Sequence, residues 1–399
     1  MKLLLAILLV TTSAVVPYDD REGLASRPGP AASAAQSTAA AAPIAGTWHA
    51  RLSDTWTRND GERWVSIQMQ RDDDRNFGTS IRLSELEAAG VRSGLLSSGD
   101  VRFTLARDAG NIDFQGSFDA GRGSGTFRFV PNAAFVAAMQ ASNRPISSED
   151  ALRLALHDVS KAFITAIEAQ GYKNLETADL VRMRIHGVDA DYIAALRKAG
   201  YDKLSVEDLV RTRIHGVTPS YIVELRNAGY SGLSIEELVR TNIHGATPAF
   251  VREMKGAGFD RLSVDELVKM RIHGVTPAFI REMRDLGLKD LRIDGLVRMR
   301  IHGVSYAFVK DLRTLGYADP GIDDLVRMRI HGVTPEFIRE LKEAGYGSVP
   351  TDRLVQFRIH GVDAALIREV QKMGLKDMTA EELVEFSIHG KRWLRRAQR

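Results

Sequence analysis

The chain has 399 residues, of which 44% are hydrophobic and 26% charged, with a formal net charge of +3. That length and composition fit two or more ordinary globular domains. It contains no cysteine, which excludes disulfides, thiolate metal sites and a lipid-modified cysteine.

At the amino end, Lys2 precedes the apolar run Leu3 to Val10, and Thr12-Ser13-Ala14 supplies small residues. This pattern predicts a signal peptide over 1–14, hence a periplasmic or secreted protein. The run is shorter than the ~20 residues of a membrane span, so no integral span is expected after cleavage. An uncleaved anchor is the other reading of the same residues. Residues 15–44 are rich in Ala, Ser and Pro, too poor in large apolar groups to order themselves, and read as a linker.

Period-two alternation marks 45–132 as a small antiparallel β domain. Val65, Ile67 and Met69 alternate with polar neighbours, as do Val101, Phe103 and Leu105, then Ile112, Phe114 and Phe118, then Phe127 and Phe129. Such strands bury one face and wet the other. Asp108-Ala109-Gly110-Asn111 and Asp119-Ala120-Gly121-Arg122-Gly123 read as hairpin turns. Gly121 to Gly125 has the look of a phosphate loop but lies between strands and lacks its Lys-Ser/Thr ending. Asp72-Asp73-Asp74 reads as a solvated loop rather than as calcium ligands.

From residue 145 one period dominates. His157, His186, His215, His244, His273, His302, His331, His360 and His389 stand 29 residues apart, eight of them within Ile-His-Gly. Such a period is the signature of a stacked repeat array. In the His215 unit, Ser205 caps a first helix, Leu209, Val210 and Ile214 give its apolar stripe, and Gly216 ends it. The residue three after each histidine (Ser160, Asp189, Thr218, Thr247, Thr276, Ser305, Thr334, Asp363) caps a second helix, four of them before a proline. Isolated helices this short are marginal in water, so each unit depends on its neighbours. The fold class is therefore α+β multidomain: a small antiparallel β domain, then an α-solenoid of 29-residue two-helix repeats over 145–390. Its first unit, 145–174, is degenerate, with Asp158 in place of the turn glycine. Its last unit is truncated, and 391–399 is a basic tail. Residues 145–390 hold 34 basic and 36 acidic side chains, so the array has no basic field for a polyanion.

Packed helices lie ~8–10 Å apart, so equivalent histidines cannot share one metal ion held at ~2 Å. They are expected to be structural, each imidazole capping its helix C-terminus on a backbone carbonyl; no metal and no cofactor is implied. Arg184, Arg213, Arg271, Arg300, Arg329 and Arg358 form a second row, interrupted by Asn242 and Ser387. It is the candidate binding edge, since guanidinium suits carboxylate or phosphate. A neighbouring row (Arg211, Arg240, Arg298, Arg327) reads as pairing with acids four residues earlier, such as Glu207.

Ile330-His331-Gly332-Val333-Thr334-Pro335 and the helix after it resemble helix-hairpin-helix nucleic-acid-binding motifs. In those, a Gly-apolar-Gly hairpin offers backbone N–H groups to phosphate; here Thr334 replaces the second glycine. The Ile-His-Gly-Val-Thr-Pro units after an alternating sheet domain also resemble exported bacterial proteins of unsettled function. Similar repeats occur appended to beta-lactam-sensor-type membrane metallopeptidases. The resemblance covers about residues 45–390 and brings no proteolytic residue, because the chain has no His-Glu-x-x-His. His49 is the one histidine outside the array and has no evident acidic partner. The sequence thus points to a non-enzymatic scaffold contacting a protein or cell-envelope polymer. The alternative is a helix-hairpin-helix-like module for nucleic acid or another polyanion.

Overall fold

The computed structural model describes residues 42–53, 63–71, 75–91 and 98–397. The expected signal peptide (1–14), the linker (15–44) up to residue 41, and Asp72-Asp73-Asp74 lie outside the described residues. Six strands, β1 (Ile44–Ser53), β2 (Trp64–Arg71), β3 (Asn76–Arg82), β4 (Ser98–Arg107), β5 (Gly110–Asp119) and β6 (Arg122–Pro131), form one antiparallel sheet. The order is β3-β2-β1-β6-β5-β4, so the first and last strands pair at the centre. The alternating residues fill one face: Trp48, Ile67, Ile112 and Phe129 are fully buried. Trp48 meets the rings of Phe103, Phe114 and Phe118 at 5.6–6.2 Å between centroids. Gly123 is required beneath it, because a Cβ there would come within 2.8 Å of Trp48 and 2.7 Å of Phe118. Thus the glycine-rich segment 121–125 is a hairpin turn running into a strand that must stay thin.

Helix α1 (Leu83–Ala88) follows β3, and α2 (Ala133–Ala141), capped by Asn132, follows β6. Next come α3 (Ser148–Leu156) and α4 (Lys161–Ala169), the two helices of the first unit. The apolar face of α3 does not face the array alone. Ala151, Leu152, Leu154, Ala155 and Leu156 belong to the same buried cluster as the sheet. Polar contacts fix the joint. The Asp108 carboxylate in the β4–β5 turn accepts from the Lys161 backbone N–H at 2.9 Å, Glu149 pairs with Arg75, and Glu168 with Arg144. The sheet therefore closes the amino end of the helical array.

The sixteen helices from α3 to Ala364–Lys372 are nine residues each. First helices pack on first helices and second on second, enclosing a continuous apolar core from Ile167 to Phe386. All eight residues expected to cap second helices do so, each side chain accepting the N–H three residues on. The first helix of the His215 unit ends in a Schellman turn. Gly216 N–H bonds Arg213 C=O at 3.2 Å and Val217 N–H bonds Thr212 C=O at 2.8 Å. Gly216 takes φ +67°, which a side chain would strain. At the carboxyl end the sequence pattern stops at 390, yet the helix Ala380–Ala397 continues through a kink at Gly390. No capping residue stands three after His389, where Arg392 sits, so nothing in the sequence starts a separate second helix.

Candidate interaction edge of the repeat array

The Schellman turn places three successive side chains at one edge: an arginine, an isoleucine and a histidine in six units, with Asn242 and Ser387 in place of the arginine in two others and Ala155-Leu156-His157 in the first. The isoleucine is not part of the core, contrary to the expected stripe. Ile185, Ile214, Ile243, Ile272, Ile301, Ile330, Ile359 and Ile388 are each 43–56% exposed. Leu209 and Val210 of the His215 unit are buried as expected, and Thr212 takes the place assigned to Ile214. The first unit differs: Leu156, at the isoleucine position, is 4% exposed and packed in the sheet's core.

All six row arginines lie over an aromatic ring of the preceding unit, 21 residues back. The guanidinium carbon is 3.8 Å from the centroid of Tyr192 for Arg213, and 4.9 Å from that of Phe250 for Arg271. It is 5.1 Å from Phe279 for Arg300 and from Phe308 for Arg329, 4.9 Å from Phe337 for Arg358, and 5.6 Å from Phe163 for Arg184. Each ring is the residue whose N–H the second-helix cap binds, so cap, ring and guanidinium are set together. A cation placed over a ring face is attracted there by the ring quadrupole. Arg184 also pairs with Asp158 at 2.5 Å. Among the described residues, Arg213, Arg271, Arg300, Arg329 and Arg358 have no carboxylate within 4.0 Å.

In four units the same position reaches back to a carbonyl of the preceding turn, that of the C-cap histidine in three and of the next residue, Asp158, in one. Asn242 donates to His215 C=O at 2.6 Å, Arg329 to His302 C=O at 3.4 Å, Arg184 to Asp158 C=O at 3.1 Å, and Ser387 to His360 C=O. A Cβ on Gly245 would sit 3.0 Å from the Arg271 guanidinium, so the turn glycine also makes room for the next unit's arginine. This corrects the role expected for histidine. Among the described residues no imidazole bonds a main-chain carbonyl; at His215, His302 and His360 a side chain of the next unit bonds the carbonyl instead. The histidine serves instead as the C-cap residue through its backbone N–H, as in His215 to Arg211 C=O at 3.1 Å. Interior imidazoles are half-buried or exposed. Burial, with Arg153 adding to it, pulls His157 down to about 4. Burial first, then Arg182 and Arg211 respectively, lowers His186 and His215.

The neighbouring basic row also pairs differently from expectation. Arg240 bonds Asp265, Lys269 bonds Asp294 at 2.6 Å and Arg298 bonds Asp323 at 2.7 Å, each across to the next unit. Arg182 and Arg327 pair with acids three residues before them. A row absent from the sequence reading runs along the opposite turns: the hydroxyls of Tyr172, Tyr230, Tyr317 and Tyr346 donate to carbonyls 32 residues on, at 2.6–2.7 Å. Only the tyrosine spacing signalled it. The hairpin N–H groups that a phosphate would need are already taken at the third position, as by Thr334 Oγ1 from Phe337 at 3.2 Å. His49 lies exposed on the wet face of β1, opposite Ser124. Among the described residues no helix is long and apolar enough to cross a membrane. No protein-family model matches this chain, and no curated protein matches it.

Proposed function

We propose that this chain is a non-enzymatic, periplasmic or secreted scaffold whose Ile-His-Gly edge holds a protein or cell-envelope polymer through many equivalent contacts. The carrying observation is the isoleucine row: an apolar side chain repeated eight times at a position that packing does not need. Scattered exposed apolar residues need no explanation, but the same apolar side chain exposed at one position of eight successive units supports an interaction surface. Several weak contacts at fixed spacing give avidity that none has alone. The occupied hairpin N–H groups count against the helix-hairpin-helix alternative.

The test is in-cell crosslinking from a photoreactive residue placed at Ile243, Ile272 or Ile301, with Arg281 on an outer helix face as control. The expected result is one partner captured from all three row positions and not from the control, in the exported fraction. Capture from none of them, or equally from the control, would overturn the proposal.

A further inference from the structure

The edge has a chemistry of its own beyond its being exposed. Beside six of the eight isoleucines stands the row arginine, two residues before the histidine and held over a ring; Asn242 and Ser387 take its place beside Ile243 and Ile388, and from Arg213 onward the arginines are unmatched by any carboxylate among the described residues. An apolar row bordered by ring-held, uncompensated guanidinium groups asks for a partner carrying apolar groups and carboxylates together. It also disfavours a second copy of the same edge, whose arginines would repel these. Spacing narrows the partner further. Equivalent helices stack at ~8–10 Å, and an extended chain of polyproline II geometry advances ~3.1 Å per residue with about three residues per turn, so about three residues span one unit and every third side chain faces the row.

The first unit supplies the precedent. There the apolar position, Leu156, is covered by polypeptide, namely the sheet, and the turn residue Asp158 offers a carboxylate to Arg184, the row arginine that the next unit lays over this one. The molecule thus satisfies this edge once, within itself, by an apolar contact plus a carboxylate. We propose that the interior units bind the same combination from outside: an extended acidic–apolar polypeptide segment lying along the isoleucine row, with one apolar group per unit and one carboxylate per row arginine. The inference rests on the scaffold reading and names its partner class.

The probe is a fluorescent peptide of eight Leu-Glu-Ser repeats titrated into the full chain and followed by anisotropy. Saturable binding is expected, weaker at high salt because the charge contacts are screened. Joint substitution Ile243→Ser, Ile272→Ser and Ile301→Ser should weaken it by about tenfold or more with the thermal midpoint kept, since these side chains lie outside the core. Arg271→Gln, Arg300→Gln and Arg329→Gln together should weaken it similarly, with circular dichroism reporting the fold. A Leu-Lys-Ser peptide should not bind. Equal binding of the lysine peptide, or affinity unmoved by the isoleucine changes, would overturn the inference. Should the chain ignore the acidic peptide yet hold anionic vesicles through the same isoleucines, the polypeptide inference falls and the scaffold reading stands; duplex DNA held there instead would overturn both. Should none of these probes bind and no crosslink form, both fall.

Discussion

The first unit and the interior units run the same turn to opposite ends. In the first, Leu156 is buried against the sheet, His157 is held neutral by its surroundings, and Asp158 answers Arg184. Inside the array the isoleucine stands in solvent, a glycine replaces the aspartate, and from Arg213 onward the row arginines have no carboxylate within 4.0 Å among the described residues. The backbone hardly changes: Asp158 has φ +52° and Gly216 φ +67°, and both turns close the same hydrogen bonds. The turn therefore imposes neither burial nor exposure. Which of the two occurs depends on what covers that edge, and among the described residues only the first unit has its cover built in.

The largest consequence is a difference in what one apolar side chain contributes. Leu156→Ala should destabilise by about 2–5 kcal/mol, as for other core truncations. Ile272→Ala, at the same motif position but half exposed, should stay within about 1 kcal/mol. Equal shifts in urea midpoint would erase the distinction.

Protonation separates the regions next. Unfolded, His157 titrates near ~6.5; folded, burial holds it at about 4. The unfolded chain thus takes up a proton that the folded chain refuses between those values. Stability from this site is complete above about 6.5, falls as pH drops through the window, and levels off below about 4, for a loss of about 3 kcal/mol. Burial of His186 and His215 acts in the same direction. His157→Gln should flatten most of the slope in chemical denaturation between pH 7 and pH 4; an unchanged slope would put the sensitivity elsewhere.

Much of this was legible from spacing. The strand faces, the second-helix caps, the Ser205 cap and the glycine turns follow from period two, period 29 and local hydrogen-bond chemistry, because each involves residues a few positions apart. The isoleucine row was misread although the angle was available. At 100° per residue, Ile214 lies about 140° round the helix from Leu209 and falls outside a stripe centred on Leu209, Val210 and Thr212. The arginine stacking was not legible, since it joins residues 21 apart whose approach depends on how one unit sits on the next. The same holds for Arg240, Lys269 and Arg298, whose partners lie 25 residues on. Local rules pair such residues within their own helix.

Stacking itself should be worth less than burial. Arg271→Ala removes a guanidinium from Phe250 and should cost about 1 kcal/mol. Arg271→Lys, which cannot stack a plane on the ring, should recover only part of it. Full recovery by lysine would reduce the row to simple charge, and the contribution assigned to planar stacking would go.

The smallest effect is the most discriminating. Arg298 reaches Asp323 in the next unit, whereas Arg153, its counterpart in the first, pairs with Glu149 in its own helix at 2.8 Å. The reason is sequence: where Asp323 stands for Arg298, the first unit's neighbour offers Ala178. Both pairs are exposed, so Arg298→Ala and Arg153→Ala should each change stability by no more than about 0.5 kcal/mol, less in high salt. They should part company in titration. Arg153 holds His157 down by its charge, while burial, the larger cause, remains when it is removed. Arg153→Ala should therefore raise the His157 pKa, still leaving it below that of a free imidazole, and Arg298→Ala should not move it. Proton NMR of the His157 ring decides this. Were the two substitutions to shift it equally, the first unit's electrostatics would not be local, and the contrast between covered and open units would lose its physical basis.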